Sequence, residues 1–531
     1  MKLLGISAFY HDSAAAIIEN GTIIAAAQQE RFSRIKHDRD FPADAVRYCL
    51  KKAGCTLDDL DAIAFYDKPF LKFERLLETY YSFAPRGVKS FITAIPVWLK
   101  EKMFLKRLIH RELETVGNYN KKKATLLFPE HHLSHAASAY YSSPFDESAI
   151  LTIDGVGEWA TATISHGKGN EITILKELKF PHSVGLLYSA FTFYLGFRVN
   201  SGEYKLMGLA PYGNPDSDQT KRFINIIKEN LATVYHDGSV WLNQEYFKYA
   251  TGLQMTQDEK WEQLFGIKRR EPESEITRSH CNLAFAIQKV TEEILLKMAK
   301  TAKKETGSNH LCLAGGVALN CVANGLIHRE KLFDQIFIQP AAGDAGGAVG
   351  AAQAAYHIHF GEEKRSSAND AIQGAYLGPA ISEAEIKKLA NRYGLTPGRF
   401  TGDADRAEKT AGWIADGQVV GWVQGRMEFG PRALGNRSIL TDPRKPDMQE
   451  KLNREIKNRE SFRPFAPAVL EEEASCYFDL DTPSPYMLLT APVKEEHCKA
   501  LPENFYESDW KTMLNTDRSV LPGITHVDFS A

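Results

Sequence analysis

The sequence lacks the usual devices for crosslinking or anchoring a chain. Its seven cysteines, Cys49, Cys55, Cys281, Cys312, Cys321, Cys476 and Cys498, are odd in number and form no CxxC pair. That spacing excludes a zinc ribbon and a disulfide framework, and it points to a reducing cytoplasm. No apolar run approaches the roughly 20 residues of a bilayer span. The most apolar internal stretch, Phe91 to Leu99, contains Pro96 and is flanked by Lys89 and Lys100, so it is read as a packing helix. The N-terminal MKLLGISAFYHDSAAAII begins like a signal peptide, but His11 and Asp12 interrupt it. Charge of one sign is also missing. The 64 basic and 67 acidic side chains leave −3, so bulk electrostatics recruit neither nucleic acid nor an anionic membrane. Two motifs are absent as well. There is no Walker loop of the GxxxxGKS or GxxxxGKT form, and position 132 is His where an HExxH metalloprotease carries its general-base Glu.

What is present is an ordinary globular composition, 44% apolar and 25% charged, which excludes a mainly disordered chain. The opening reads as strand LLGIS, polar loop FYHDS, strand AAAII, the hairpin signal Asn20-Gly21 and strand TIIAAA. The order returns as AILTI, DGVGE, WATATI, a turn at Gly167-Lys168-Gly169-Asn170, and EITILKEL. Two copies of strand, polar loop, strand, turn and strand predict a duplicated α/β core. A two-lobed, actin-like ATPase fold is built in this way. Residues 67–123 read as helices, and Leu283, Ala286, Ile287, Val290, Ile294, Leu295 and Met298 set one long amphipathic helix over 280–305. Strand LCLAGG then leads to a helix from Ala318, and strand IFIQP leads to a Gly-rich turn opening a further helix. Residues 359–372 read as a polar linker. The unit from 373 onward holds strand VVGWVQG, a Gly/Arg-rich loop and a basic helix over 444–463.

Six places have residue types suited to chemistry. His131 and His135 are four apart, so on a helix both imidazoles face one side and can share a metal. Asp154 closes strand AILTI ahead of Gly155 and Gly157, and carboxylates at strand ends of α/β folds face the ligand crevice. Asp344 sits among Gly343, Gly346 and Gly347 at a helix start. The alternatives are solvated or core histidines, a turn-capping Asp and a helix cap. Together, two His and two Asp make a mixed nitrogen and oxygen set that suits iron or another divalent ion. The turn Ala314-Gly315-Gly316-Val317-Ala318-Leu319-Asn320 lets backbone approach a nucleotide. From Arg426 to Arg463, seven Arg and three Lys oppose six acids, and Arg426, Arg432 and Arg437 lie on a Gly-rich loop. Guanidinium forks there fit a polyphosphate or acyl phosphate, whereas over 444–463 a solvated basic helix is the alternative. Finally, His11 is a candidate general base and Lys36 a candidate phosphate anchor.

The runs FYHDSAAAII, QERFSRIKHD, HHLSHAASAYY, LTIDGVGEWAT, GLLYSAFTFYLGF, GEYKLMGLAPYG, LAGGVALNC, GDAGGAVGAA and GRMEFGPRALGNRS resemble the O-carbamoyltransferases of the nodulation-factor and tobramycin type over nearly the whole chain. The resemblance implies a duplicated actin-like (ASKHA) N-terminal domain over 1–358, a linker over 359–372 and a YrdC-like α/β domain over 373–531. It implies that ATP, with Mg²⁺, and carbamoyl phosphate form carbamoyl-adenylate in the C-terminal domain, and that the N-terminal domain passes the carbamoyl group to a small-molecule hydroxyl acceptor, a natural product or a sugar. By motif, His131, His135, Asp154 and Asp344 match metal ligands, expected to hold Fe²⁺, His11 matches the loop histidine near the acceptor, and Lys36 matches a lysine that contacts the intermediate, the two being the expected catalytic residues. Gly316 and Asn320 match the nucleotide turn, and Arg426, Arg432, Arg437 and Lys451 match the adenylate-forming site. A homodimer, a cytoplasmic location and no nucleic-acid partner are also expected. The family pattern continues past an HVDG-type strand to an LNTSFN-like motif, whereas this sequence reads HVDFSA and ends at Ala531, so the resemblance predicts an incomplete C-terminal domain. The competing readings are a tRNA threonylcarbamoyl-transfer-like enzyme, an actin-like sugar kinase, which has no need of HxxxH, and a non-catalytic nucleotide-binding scaffold.

Overall fold

The structure is a computed structural model that describes residues 1–98, 104–365 and 367–531. The chain divides into two compact units, Met1–Ile372 and Gln373–Ala531.

The first unit is built on two five-stranded sheets with one shared plan. The first sheet contains β1 (Lys2–Ser7), β2 (Ala14–Glu19), β3 (Thr22–Gln28), β4 (Ala62–Phe65) and β5 (Thr125–Leu127), in the order β3-β2-β1-β4-β5. The second contains β6 (Glu147–Ile153), β7 (Ala160–Lys168) and β8 (Glu171–Lys179), and also β11 (His310–Ala314) and β12 (Gln335–Ile338). A small hairpin of β9 (Ala232–Val234) and β10 (Val240–Leu242) intervenes in the sequence. The second sheet runs β8-β7-β6-β11-β12, which is the same order. In each sheet the first three strands form an antiparallel meander, the fourth pairs in parallel with the first, and the fifth pairs in parallel with the fourth. The duplication expected from the sequence is therefore present at the level of topology. It gives the unit its actin-like fold. Asn20-Gly21 forms the first hairpin, with Asn20 and Gly21 both at positive φ (48° and 83°).

One helix locks the halves together. Asp344–Ala354, DAGGAVGAAQA, has no large residue and is buried along its whole length. Small side chains let it approach both β1 and the helix His131–Tyr140. A Cβ on Gly5 of β1 would lie 1.8 Å from the Ala348 carbonyl oxygen, and one on Gly350 would lie 1.7 Å from that of Ser134. This packing brings the N-terminus of one helix beside that of the other. The long helix expected over 280–305 spans Arg278–Thr306 and stops at Gly307, which takes φ 65°. The turn before Ala318 is a short 3-10 segment, Gly316–Leu319, so the next helix starts later than expected, at Cys321, and runs to Arg329.

Residues 67–123 are helical at Pro69–Ser82, Val88–Trp98 and Leu105–Val116. Of the packing helix expected over Phe91–Leu99, Leu99 lies outside the described residues. The Phe91 ring lies tilted against that of Tyr80, centroids 5.1 Å apart, but Ile92 is 66% exposed, so this turn is only partly packed. The stretch expected to be a free linker is tied to the first unit. The Lys364 backbone N–H donates to Asn170 Oδ1 at 2.7 Å, Ala371 N–H donates to the Ser142 carbonyl at 2.8 Å, and Ile372 is fully buried.

The second unit carries the helices Glu383–Arg392 and Asp403–Ala415 and an antiparallel pair, β13 (Val420–Val423) and β14 (Arg437–Leu440). Phe478, Ala491, Val493 and Ile524 form a small core near its end. The basic helix expected over 444–463 shortens to Met448–Lys451 with a wider turn through Ile456. Asn458, at φ 46°, turns the chain, and the Arg459 guanidinium folds back onto Asn453 Oδ1 at 2.6 Å.

Candidate functional site

The parallel edges of both sheets deliver carboxylates and imidazoles to one point in the first unit. Asp154 follows β6, as its strand-end position predicts. His131 and His135 occupy the first two turns of the helix His131–Tyr140, and Asp344 opens the helix Asp344–Ala354. A helix N-terminus favours a negative side chain, which suits Asp344 there. One ligand atom from each of the four residues lies within 4.8 Å of the others. His131 Nε2 is 2.9 Å from Asp154 Oδ2 and 3.1 Å from His135 Nε2. His135 Nε2 is 3.4 Å from Asp154 Oδ2, and both imidazoles are 3.8 Å from Asp344 Oδ1. His131, His135 and Asp344 are at most 2% exposed, whereas the Asp154 side chain is 17% exposed and opens to solvent.

Burial drives the His131 pKa far below its ordinary value and raises that of Asp344, which also feels the Asp154 charge. Burial opposes ionisation of Asp154 too, but hydrogen bonds from His131 and His135 overcome it and hold this carboxyl well below the usual range. A neutral His131 with an ionised Asp154 is the state a metal requires of its ligands. Metal–ligand bonds of about 2.1 Å set neighbouring donor atoms about 3.0–3.4 Å apart; the His131, His135 and Asp154 atoms lie 2.9–3.4 Å apart, and Asp344 Oδ1 stands slightly wider at 3.8 Å from both imidazoles. The donor set of two nitrogens and two oxygens, without thiolate, suits a first-row divalent ion such as iron. The residues therefore fit the group. The Nδ1 atoms of both imidazoles are buried and have no protein partner.

His11 faces this cluster. Its Nε2 lies 3.8 Å from Asp344 Oδ2, while its Nδ1 lies 2.9 Å from Asp12 Oδ2, and Asp12 Oδ1 in turn lies 2.8 Å from His37 Nδ1. Burial disfavours charge on His11, yet Asp344 and then Asp12 raise its pKa to about 9. Phe9 and Asp12 both take positive φ, 71° and 52°, so this loop is held in a conformation its residues rarely adopt. Backbone bonds pin it, from Phe9 N–H to the Arg39 carbonyl and from Ser13 N–H to the Asp38 carbonyl, each 2.9 Å. Lys36 is exposed and does not reach into the cluster as an ion-pair partner. Its ammonium donates to Tyr204 Oη at 2.9 Å and lies over that ring at 5.4 Å.

The turn expected to approach a nucleotide divides in two. Gly316 N–H points at Asp154 Oδ1 at 3.3 Å, and Gly315, at φ 88°, passes so close to Ile153 that a Cβ would lie 2.3 Å from its carbonyl oxygen. Asn320 is 8% exposed. It caps the helix Cys321–Arg329 by accepting from Ala323 N–H at 3.1 Å, and its amide pairs with Gln288 through two bonds of 3.1 Å.

The arginine loop is braced from within. Arg426 donates to the Gly378 and Leu377 carbonyls, and Arg437 donates to the Gln424 and Asn436 carbonyls at 2.7 and 2.6 Å. These two guanidinia satisfy carbonyls that a Gly-rich loop leaves outside any ladder. Buried Glu428 completes the brace by accepting N–H bonds from Leu434, Asn436 and Arg437 at 2.8, 2.9 and 3.2 Å. Arg432 is half-buried on the loop, and Lys451 closes the helix Met448–Lys451.

Several residues around the cluster escaped the sequence reading. Tyr66 donates from its hydroxyl to Asp344 Oδ2 at 3.3 Å from 278 positions away. Lys72 is buried against Asp67 and stays charged. Burial works against its charge, but Asp67, Glu158 and Asp344 raise its pKa. Glu158 is buried and holds two backbone N–H groups. Only Glu158 carried a signal, its place four residues after Asp154 in DGVGE.

Residues 2–353 match the family described as "Carbamoyltransferase N-terminus", and residues 411–531 match "Carbamoyltransferase C-terminus". The chain belongs to the carbamoyltransferase family. An uncharacterized protein of Synechocystis is 53% identical over 531 residues, covering 100% of this chain and 85% of that relative. The nodulation protein NolNO of Sinorhizobium fredii is 36% identical over 534 residues, covering 98% of this carbamoyltransferase and 69% of NolNO. Nodulation protein U of Bradyrhizobium diazoefficiens is 26% identical over 548 residues, covering 100% and 86%. No helix among the described residues is long and apolar enough to cross a membrane.

Proposed function

We propose that this carbamoyltransferase is an O-carbamoyltransferase that works in two half-reactions, and that the His131, His135, Asp154 and Asp344 cluster is the metal centre of the second. The observation that carries the reading is the convergence of these four ligand atoms on one buried point, with His11 facing it.

The carbamoyl carbonyl is deactivated by its own nitrogen, so transfer to a hydroxyl needs a good leaving group. In the first half-reaction, water releases phosphate from carbamoyl phosphate to give carbamate. The carbamate oxygen then attacks the α-phosphorus of Mg²⁺-bound ATP, pyrophosphate leaves, and carbamoyl-adenylate forms. The loop around Arg432, with Lys451, is assigned to this step, while Arg426, Arg437 and Glu428 hold the loop in shape. In the second half-reaction, the acceptor hydroxyl oxygen bonds to the carbamoyl carbon, and the bond to the adenylate oxygen breaks with AMP taking the electron pair.

A divalent ion, Fe²⁺ in this reading, supplies Lewis acidity at the cluster when bound. The chain's own residues do the rest. Asp12 accepts the Nδ1 proton of His11 at 2.9 Å, which fixes the tautomer and leaves Nε2 toward the cluster. A cation held by Asp344 would offset the charge that pulls the His11 pKa upward, and Nε2, facing the cluster, is the atom placed to take the hydroxyl proton. Gly316 N–H and Lys36 are placed with the adenylate in this reading, and Asn320 shapes the turn that carries Gly316. The acceptor is assigned as a small-molecule hydroxyl, on a natural product or a sugar.

Separating the half-reactions tests this. Arg432→Ala is expected to lose carbamoyl-phosphate-dependent pyrophosphate release from ATP while still consuming supplied carbamoyl-adenylate. His135→Ala is expected to show the reverse. Loss of both half-reactions in both variants contradicts the division of labour.

A further inference from the structure

We infer that Glu158 is a positioning residue for the metal centre, acting through the backbone of His131. The inference rests on the metal reading of the cluster. The helix His131–Tyr140 begins without an ordinary cap. Glu130 occupies the N-cap position with extended backbone (φ −67°, ψ 150°), yet its side chain makes no cap hydrogen bond and instead pairs outward with the Lys68 ammonium at 2.8 Å. Glu158, from a different segment, takes over that role. Both of its carboxylate oxygens lie 3.1 Å from His131 N–H, and its Oε1 also accepts the Lys68 N–H at 2.7 Å. It is 5% exposed, so water does not compete for these bonds.

Three segments meet at this one carboxylate. Lys68 follows β4 of the first sheet, His131 starts the ligand helix, and Glu158 lies in the same short loop as Asp154, between β6 and β7. The loop fits closely over the helix start. A Cβ on Gly157 would come within 3.0 Å of His131 and His132 side-chain atoms, and Arg75 holds the Gly157 carbonyl at 3.0 Å. Glu158 thus ties the strand end bearing Asp154 to the helix end bearing His131, and so sets the 2.9 Å spacing between the two ligands. A negative group at a helix N-terminus also complements the helix dipole.

Outer partners that orient metal ligands typically tune affinity by 10- to 100-fold. Glu158→Ala is therefore expected to weaken Co²⁺ binding by about 10- to 100-fold in chelator competition and to alter the visible absorption of the Co²⁺-loaded full chain. Glu158→Gln, which keeps one acceptor oxygen, is expected to recover part of the affinity. Ser217→Ala removes a helix cap away from the cluster, the bond to Thr220 N–H. It is expected to lower the melting temperature without changing Co²⁺ affinity. Wild-type affinity and spectrum in Glu158→Ala overturn the inference. If that variant does not fold, wild-type affinity in both Glu158→Gln and Glu158→Asp overturns it equally. A wild-type chain that takes up no Co²⁺ overturns the metal reading itself, a separate and distinguishable failure.

Discussion

His131 and His135 hold their Nε2 atoms 3.1 Å apart with two carboxylates alongside, all but one of the four side chains sealed from water. Burial and the Asp154 charge raise the Asp344 pKa, so a cation held at this point would favour the ionised form of both carboxylates. His135→Ala is expected to reduce bound metal to near zero in elemental analysis of the purified chain. Full metal content in that variant would contradict the four-ligand centre. The HxxxH spacing, and the strand-end and helix-start positions of Asp154 and Asp344, made these candidate ligands legible in the sequence because each position follows from local geometry, and the four side chains do meet. Tyr66, Lys72 and the role of Glu158 were not legible, because only tertiary packing brings them to the cluster. The arginines show the opposite limit. Composition identifies a loop rich in guanidinium, but not that Arg426 and Arg437 are occupied by backbone carbonyls.

Elements depend on close approach as much as on pattern. The helix Asp344–Ala354 was legible as a Gly/Ala helix, but its function as a wedge appears only where the Gly350 Cα meets the Ser134 carbonyl. Gly350→Val places atoms where none fit and is expected to destabilise the first unit by about 1–3 kcal/mol or more, read as a fall in melting temperature. An unchanged melting temperature would contradict the packing. Gly412, inside the helix Asp403–Ala415, faces open space, so Gly412→Ala should stabilise that helix by about 0.5–1 kcal/mol. The long helix Arg278–Thr306 starts with a capping box in which Thr277 N–H donates to His280 Nδ1 at 3.0 Å, which requires an unprotonated nitrogen. Burial, then Arg270, lowers His280 to about 4. The folded state therefore binds fewer protons than the unfolded state between pH 6.5 and 4. Its contribution is complete above the unfolded pKa and falls as the pH drops through that window. Urea unfolding midpoints should fall from pH 7 to pH 5, less steeply in His280→Gln, and equal slopes would contradict the assignment. The periodicity that marked this helix was legible to within two residues at its start. The basic helix over 444–463 was overread, because charge pattern says nothing of the left-handed turn at Asn458.

At the scale of the molecule, the two sheets with one strand order form a duplicated frame, and the cluster lies where the parallel edges of both halves deliver their loops. This much of the architecture was legible, because the strand and turn signals occur twice in the same order. The second unit was less so. Among its described residues, β13 and β14 form the one ladder beyond isolated bridges, and its strand signals are weak. In the proposed reaction, this chain activates carbamoyl phosphate with ATP before transferring the carbamoyl group. The most direct test is pyrophosphate release from ATP by the 531-residue chain, with and without carbamoyl phosphate and with no acceptor present. Release that depends on carbamoyl phosphate is expected. No release above the carbamoyl-phosphate-free control would contradict the proposed reaction.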